Sequence, residues 1–239
     1  MMRTLVACLV ASLPLEATAH DLITAASAQT YLGTVAESQD TIASKEPAAS
    51  RALAQLVLGR TLDEIRELLN RDLAAHGKVQ GLPSNYLLAE LERQGVALAW
   101  SEKRRRFGAN TQYFERSLAL APRGPHATDA GLRLLLGRFY DSFESDPLAA
   151  DESWPRLAGQ IALAQELAAR DLPGDAREEV DFIGAILHAR ATLLAPDAGS
   201  RRSHGTKARQ AIAAFEARYP DSLRNALMPV LRAALDRNQ

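Results

Sequence analysis

An all-α fold of about eight or nine helices, stacked as antiparallel hairpins, is what this sequence predicts, and three observations predict it. Ala, Leu and Arg, among the best helix formers, are abundant, while aromatic residues make up only 5% of the chain. Apolar residues recur at the 3.6-residue period, as in Leu58, Leu62, Ile65, Leu69 and Leu73, in Leu132, Leu136, Phe139 and Phe143, and in Ala208, Ile212, Phe215 and Tyr219. Short breaks bearing Gly, Pro or Asp separate these stripes: HGKVQGLP at 76–83, APRGPH at 121–126, SDPLAADESWP at 145–155, RDLPGD at 170–175, APDAGS at 195–200 and YPDS at 219–222. Strand-like alternation of Val, Ile and Thr is absent, so no sheet is expected.

Taken in order, the stripes and breaks predict helices near 21–43, 48–75, 84–106, 109–121, 127–143, 155–171, 176–194, 203–218 and 222–237. Asp175 followed by Glu178 suits a capping pair for the seventh, and Asp221 or Ser222 suits the cap of the last. Pro229 falls inside that last helix, where the missing backbone donor predicts a kink or interruption. Short loops make consecutive helices antiparallel neighbours, and no linker marks a second domain, so residues 20–239 are expected to form one helical domain.

The first 19 residues have another build. Arg3 gives a positive start, Leu5 to Leu15 an apolar run, and Ala17-Thr18-Ala19 a small-x-small site, which is the pattern of a secretory signal peptide cut after Ala19. A competing reading takes Leu5-Val6-Ala7-Cys8 as a bacterial lipoprotein cleavage box with Cys8 carrying the lipid. Cys8 is the only cysteine, so cleavage after Ala19 leaves a mature chain without disulfide, thiolate or cysteine metal site. No other apolar run is long enough for a transmembrane span. The expected location is periplasmic or secreted. A net charge of −1, from 28 Lys and Arg against 29 Asp and Glu, lacks the positive bias of a nucleic-acid binder, and leaves peripheral contact with the envelope to local patches.

Two stretches echo one another: LVLGRTLDEI at 56–65 and LLLGRFYDSF at 134–143 both read Leu-Gly-Arg-x-x-Asp on an apolar stripe. The second contains Leu136-Gly137-x-x-Tyr140, which resembles the first-helix signature of a tetratricopeptide repeat, where the Gly lets two helices approach and the aromatic fills the gap. NTQYFERSLALAP, ending at Pro122, and ARQAIAAFEARYPDS, with Pro220 in the breaker position, resemble the second helix of that family. The YPDS ending is similar to exported repeat proteins of the bacterial envelope, such as outer-membrane assembly lipoproteins. Leu62 replaces the aromatic in the first echo, Gln55 and Arg133 stand at the Trp-like position, and the interval between Gly59 and Gly137 is not a multiple of the family's period of about 34 residues. The resemblance is therefore to a divergent member, firmest over about 84–145 and 176–237. It implies that Arg60 with Asp63, and Arg138 with Asp141, face an inner groove and contact a protein or peptide partner; read from the helix alone, each is an (i, i+3) surface ion pair.

Catalytic signatures are sparse. Among the five histidines no two have the spacing of a helical metal pair; mid-helix His188 reads as a core histidine with one hydrogen bond, and His20, as first mature residue, could bind copper through its amine and imidazole. No G-x-S-x-G elbow or phosphate loop occurs. The nearest stretch, GSRRSHGTK at 199–207, reads as a polar loop opening the helix at 203–218. Asp63 with Glu67, and Glu178 with Glu179, read as solvated carboxylates, and Glu144, Asp146, Asp151 and Glu152 as a solubilising loop. Lys103-Arg104-Arg105-Arg106 is placed at the end of helix 84–106, where cations complement the negative helix terminus; one turn after Trp100, the run is also a candidate contact for an acidic protein, anionic lipid or cell-wall polymer.

These readings favour a non-catalytic exported scaffold mediating protein–protein interaction in the bacterial envelope, without catalytic residues, cofactor or metal. The alternatives are a helical enzyme or accessory acting on the cell wall, and a small-ligand carrier.

Overall fold

The computed structural model describes residues 22–79, 81–143, 148 and 152–237. The expected leader at 1–19, Cys8, His20, Glu144, Asp146 and Asp151 lie outside them. The fold is all-α. Among the described residues there are nine α-helices: α1 (Ala25–Ala43), α2 (Ala48–His76), α3 (Leu82–Arg93), α4 (Gln112–Leu120), α5 (Ala127–Ser142), α6 (Trp154–Ala168), α7 (Gly174–Leu194), α8 (Ala198–Arg218) and α9 (Met228–Arg237). No described helix is long and apolar enough to cross a membrane. The chain divides into two compact units, one of residues up to Glu37 with Thr61–Gly108, the other of Ser38–Arg60 with Ala109 onward.

The first unit buries Ile23, Ala28, Leu32 and Val35 at the start of α1, Leu62, Ile65 and Leu69 along α2, and Leu87, Leu91 and Val96 around α3. It also corrects two expectations. Helix 84–106 ends at Arg93, and a two-stranded antiparallel hairpin follows, β1 (Trp100–Ser101) with β2 (Arg106–Phe107), where no sheet was expected. Gly95 stops the helix: at φ 74° its N–H donates to Glu92 O at 2.9 Å, while Val96 N–H donates to Leu91 O at 2.9 Å. This is a Schellman ending, with buried Leu91 and Val96 as its apolar pair. Asn70 of α2 then fixes the second strand, its Nδ2 donating to Phe107 O and its Oδ1 accepting from Phe107 N–H, both at 2.9 Å.

In the second unit α7 is the central helix. Phe182, Ile183, Ala185, Ile186, Leu187, Ala189 and Ala191 are all buried, which covers most directions around its axis and marks a helix packed among its neighbours α5, α6, α8 and α9. The contacts Asp181–Arg218, Phe182–Phe215 and His188–His204 run in opposite numerical order, so α7 and α8 form an antiparallel hairpin. Phe215 is 1% exposed, in a core shared with Phe139, Leu157, Ile161 and Leu231.

Two local expectations change here, and one holds. Asp197 caps α8 by accepting from Ser200 N–H at 2.8 Å, so the helix starts at Ala198 and the expected polar loop GSRRSHGTK lies within it. The interruption expected at Pro229 is present: a 3-10 turn (Leu223–Leu227), capped by Ser222, gives way to α9, and Pro229 sits in the first turn of α9, where its missing donor would have been unpaired anyway. Glu178 is no capping partner of Asp175. It accepts instead from Ser222 Oγ at 2.6 Å and from Arg224 at 3.0 Å.

Candidate functional site

Both echo glycines serve one short helix. A Cβ on Gly59 would stand 2.6 Å from Phe114 Cε1, and one on Gly137 would stand 2.9 Å from Thr111 Cγ2 and 3.1 Å from Ala109 Cβ. Phe114 belongs to α4, and Ala109 and Thr111 lead into it. The repeated Leu-Gly stretch thus lets α2 and α5 each approach α4 more closely than any side chain would permit. Phe114, fully buried, packs with Leu56, Ala130 and Leu134 at this junction.

The charged members of the echo fall into different pairs from those the spacing predicts. Arg60 faces Asp129 of α5 at 3.7 Å, and Asp129 also faces Arg133 at 3.5 Å. Asp63, buried, faces Arg66 at 3.4 Å. Arg138 donates to Glu115 of α4 at 2.9 Å, and Asp141 accepts from Ala109 N–H at 2.7 Å, one turn beyond Gly137 on α5. Arg60 and Arg138 thus each face a carboxylate of another helix. Partly exposed pairs such as Arg60–Asp129 contribute well under about 1 kcal/mol, so their role in this geometry is register between α2, α4 and α5. Tyr140, which the resemblance puts beside Gly137, is 41% exposed, and its hydroxyl donates to Glu179, with burial raising its pKa to about 12.

The second candidate set is brought together on the β-hairpin. Trp100 is 42% exposed on β1 and meets Phe107 edge-to-face at 5.1 Å; Glu102, Lys103, Arg104 and Arg105 form the turn, and Arg106 opens β2. Arg105 takes the left-handed conformation at φ 49° that this tight turn requires. The cations lie in a strand turn, thirteen positions or fewer after the end of α3, so complementing a helix terminus does not account for them. Lys103, Arg105 and Arg106 are exposed and Arg104 is half-buried.

Two clusters escaped the sequence reading. Glu152, expected to solubilise a loop, has a fully buried side chain: it accepts from Gln160 Nε2 at 2.6 Å and faces Arg190 Nη1 at 3.3 Å. Arg190, itself 0% exposed, also donates to Ser142 Oγ at 2.9 Å and lies 5.1 Å over the Phe139 ring. Burial raises the Glu152 pKa while Arg190 opposes it. This network ties α5, α6 and α7 together, and enclosure of the carboxylate suits it to holding a charge in place more than to meeting a substrate. The other cluster pairs His188 of α7 with His204 of α8, Nδ1 to Nδ1 at 2.9 Å, with Trp154 edge-on to His204 at 5.7 Å. Burial, His204 and Lys207 lower the His188 pKa to about 4. No signal linked these histidines, since the contact depends on the pairing of two helices. Among the described residues no group of three or more His, Cys, Asp and Glu could hold a metal ion.

Comparison of the chain with protein-family models, with characterised proteins and with solved structures finds no match.

Proposed function

We propose that the protein is an exported, non-catalytic helical scaffold of the bacterial envelope, similar in principle to tetratricopeptide-like proteins, which holds an acidic protein partner. The observation that carries this reading is the β-hairpin, where Trp100 and the cations Lys103, Arg104, Arg105 and Arg106 share one exposed turn that Asn70 holds in shape. A preformed turn presents cations and an aromatic face together at little ordering cost, which suits recognition of a carboxylate-bearing surface. The leader-like pattern at 1–19 supports export, and the stacked helices supply the rigid frame.

The test is capture from the envelope fraction of the native host by the wild type and by the double variant R104E/R105E. A protein retained by the wild type and lost with the variant, at an unchanged melting temperature, is the expected result. An identical set of bound proteins with both baits overturns the hairpin as the docking element. A second reading, a small-ligand carrier, is favoured by a cleft beside α8.

A further inference from the structure

In the second unit, α8 presents one stripe to an open cleft of about 700 Å³. Along the stripe stand Ala198, Arg201, Arg202, Gly205, Thr206 and Arg209, spaced as neighbours on a single helix face. The opposite wall comes from the end of α7 at Thr192 and the end of α9 at Leu235. The middle of the stripe is the buried Gly205, where a Cβ would meet Arg209 Nη1 at 3.6 Å and Thr192 Cγ2 at 3.7 Å, so the Arg209 guanidinium lies over the glycine. Three arginines therefore line the cleft, and no described residue lining it is a carboxylate.

Two of the arginines are positioned by backbone. Arg201 Nη1 donates to Ala195 O at 2.9 Å, just past the end of α7, and Arg209 Nη2 donates to Leu235 O at 3.4 Å and to Asp236 at 3.2 Å on α9. These bonds anchor the two side chains, whose backbone positions are roughly 12 Å apart along the helix axis at the rise of an α-helix. Arg202 lies next to Arg201 on an exposed position of the helix. The stripe begins in the first turn of α8, where the helix dipole adds to the positive potential beside Arg201. Both hydroxyls of the cleft are spent on the backbone, Thr206 on Arg202 O and Thr192 on Ala189 O, so the guanidinium groups are its recognition chemistry.

We infer that this cleft is a binding site for a ligand bearing more than one phosphate or comparable anionic group, held between the Arg201–Arg202 pair and Arg209. Planar guanidinium forks suit phosphate oxygens, and three of them lining one cleft favour a ligand with several anionic groups over a single small ion. The site lies in the second unit and is independent of the hairpin reading.

Two sources share this chemistry, a soluble polyphosphate-type ligand and an anionic lipid headgroup. The mature protein is titrated calorimetrically with inorganic tripolyphosphate at low ionic strength, and separately with phosphatidylglycerol vesicles. The variants are Arg202→Gln, which removes an exposed cation of the cleft, and Lys207→Gln, which removes an exposed α8 cation that does not line it. Saturable binding to tripolyphosphate that weakens tenfold or more in R202Q and less than twofold in K207Q identifies the soluble source. The same pattern with vesicles alone identifies the headgroup. Binding to neither, or an equal loss in both variants, overturns the inference.

Discussion

Replacing Gly59 by Ala tests how tightly α2 meets α4. In a helix interior the exchange is intrinsically favourable by about 0.8–1.0 kcal/mol. Against this, the new Cβ would stand 2.6, 3.0 and 3.1 Å from three atoms of the Phe114 ring, where carbon atoms prefer about 3.5–4.0 Å. The ring must withdraw by roughly 1 Å, yet Phe114 is 0% exposed and hemmed in by Leu56, Ala130 and Leu134. Overpacking of that kind costs about 1–3 kcal/mol, which outweighs the propensity gain, so G59A should lose up to about 2 kcal/mol net. Gly184 in α7 is the internal control. Nothing lies within 4 Å of its Cβ position, and G184A should gain about 1 kcal/mol. Urea titration followed by far-ultraviolet circular dichroism reads both as shifts of the midpoint at constant slope. Trimming the ring, in G59A/F114L, should recover part of the loss. If G59A stabilises as much as G184A, the close approach of α2 to α4 is wrong, and with it the packing account of the echo.

Stability should fall on acidification in a way that His188→Gln removes. The folded pKa of His188 is lowered from 6.5 to about 4, so the unfolded chain takes up the proton first; the contribution is complete above about pH 6.5 and is lost as pH falls towards 4. The gap corresponds to at most about 3 kcal/mol, and an acid limb equally steep in H188Q would contradict the buried imidazole pair. Glu152→Gln should cost about 3–5 kcal/mol by leaving Arg190 buried without its counter-charge, whereas E152L/R190M should recover most of it; a melting temperature unmoved by E152Q would dissolve the network. Asn70→Ala removes both bonds to Phe107 and should cost about 1–3 kcal/mol, with Trp100 fluorescence shifting towards that of a fully solvated indole. An unchanged emission spectrum would show that the hairpin holds its shape without Asn70.

Helices whose apolar period repeats were legible from the sequence because burial of a stripe leaves a one-dimensional trace. The Ile212–Phe215 stripe is of this kind. Helix ends were legible only where the stop was written in Pro or Asp. At Gly95 the stop lies in the apolar pair Leu91 and Val96 around a single Gly, a pattern easily absorbed into a continuing stripe. Asp197 after Pro196 is likewise a cap signal, but the polar stretch that follows outweighed it. What no local reading could supply are contacts set by helix pairing, such as Asn70 with Phe107, His188 with His204 and Glu152 with Arg190. Each joins residues that neither share an element nor fall on a common period.

The two Leu-Gly-Arg stretches shape the helix junction around α4. Their glycines admit α4, Arg60 faces Asp129, Arg138 binds Glu115 and Asp141 holds Ala109, so each conserves the geometry of the helix junction. Two places bring cations together: the hairpin, with Lys103, Arg104, Arg105 and Arg106, and the α8 cleft, with three arginines and Asp236 at its edge. A net charge of −1 conceals both, because local potential depends on where charges are placed and not on their sum. They also differ in kind. The hairpin offers an exposed turn beside an aromatic face, whereas the cleft is a recess lined by three arginines, two of them held by backbone carbonyls. Each site is testable through variants that leave the other intact.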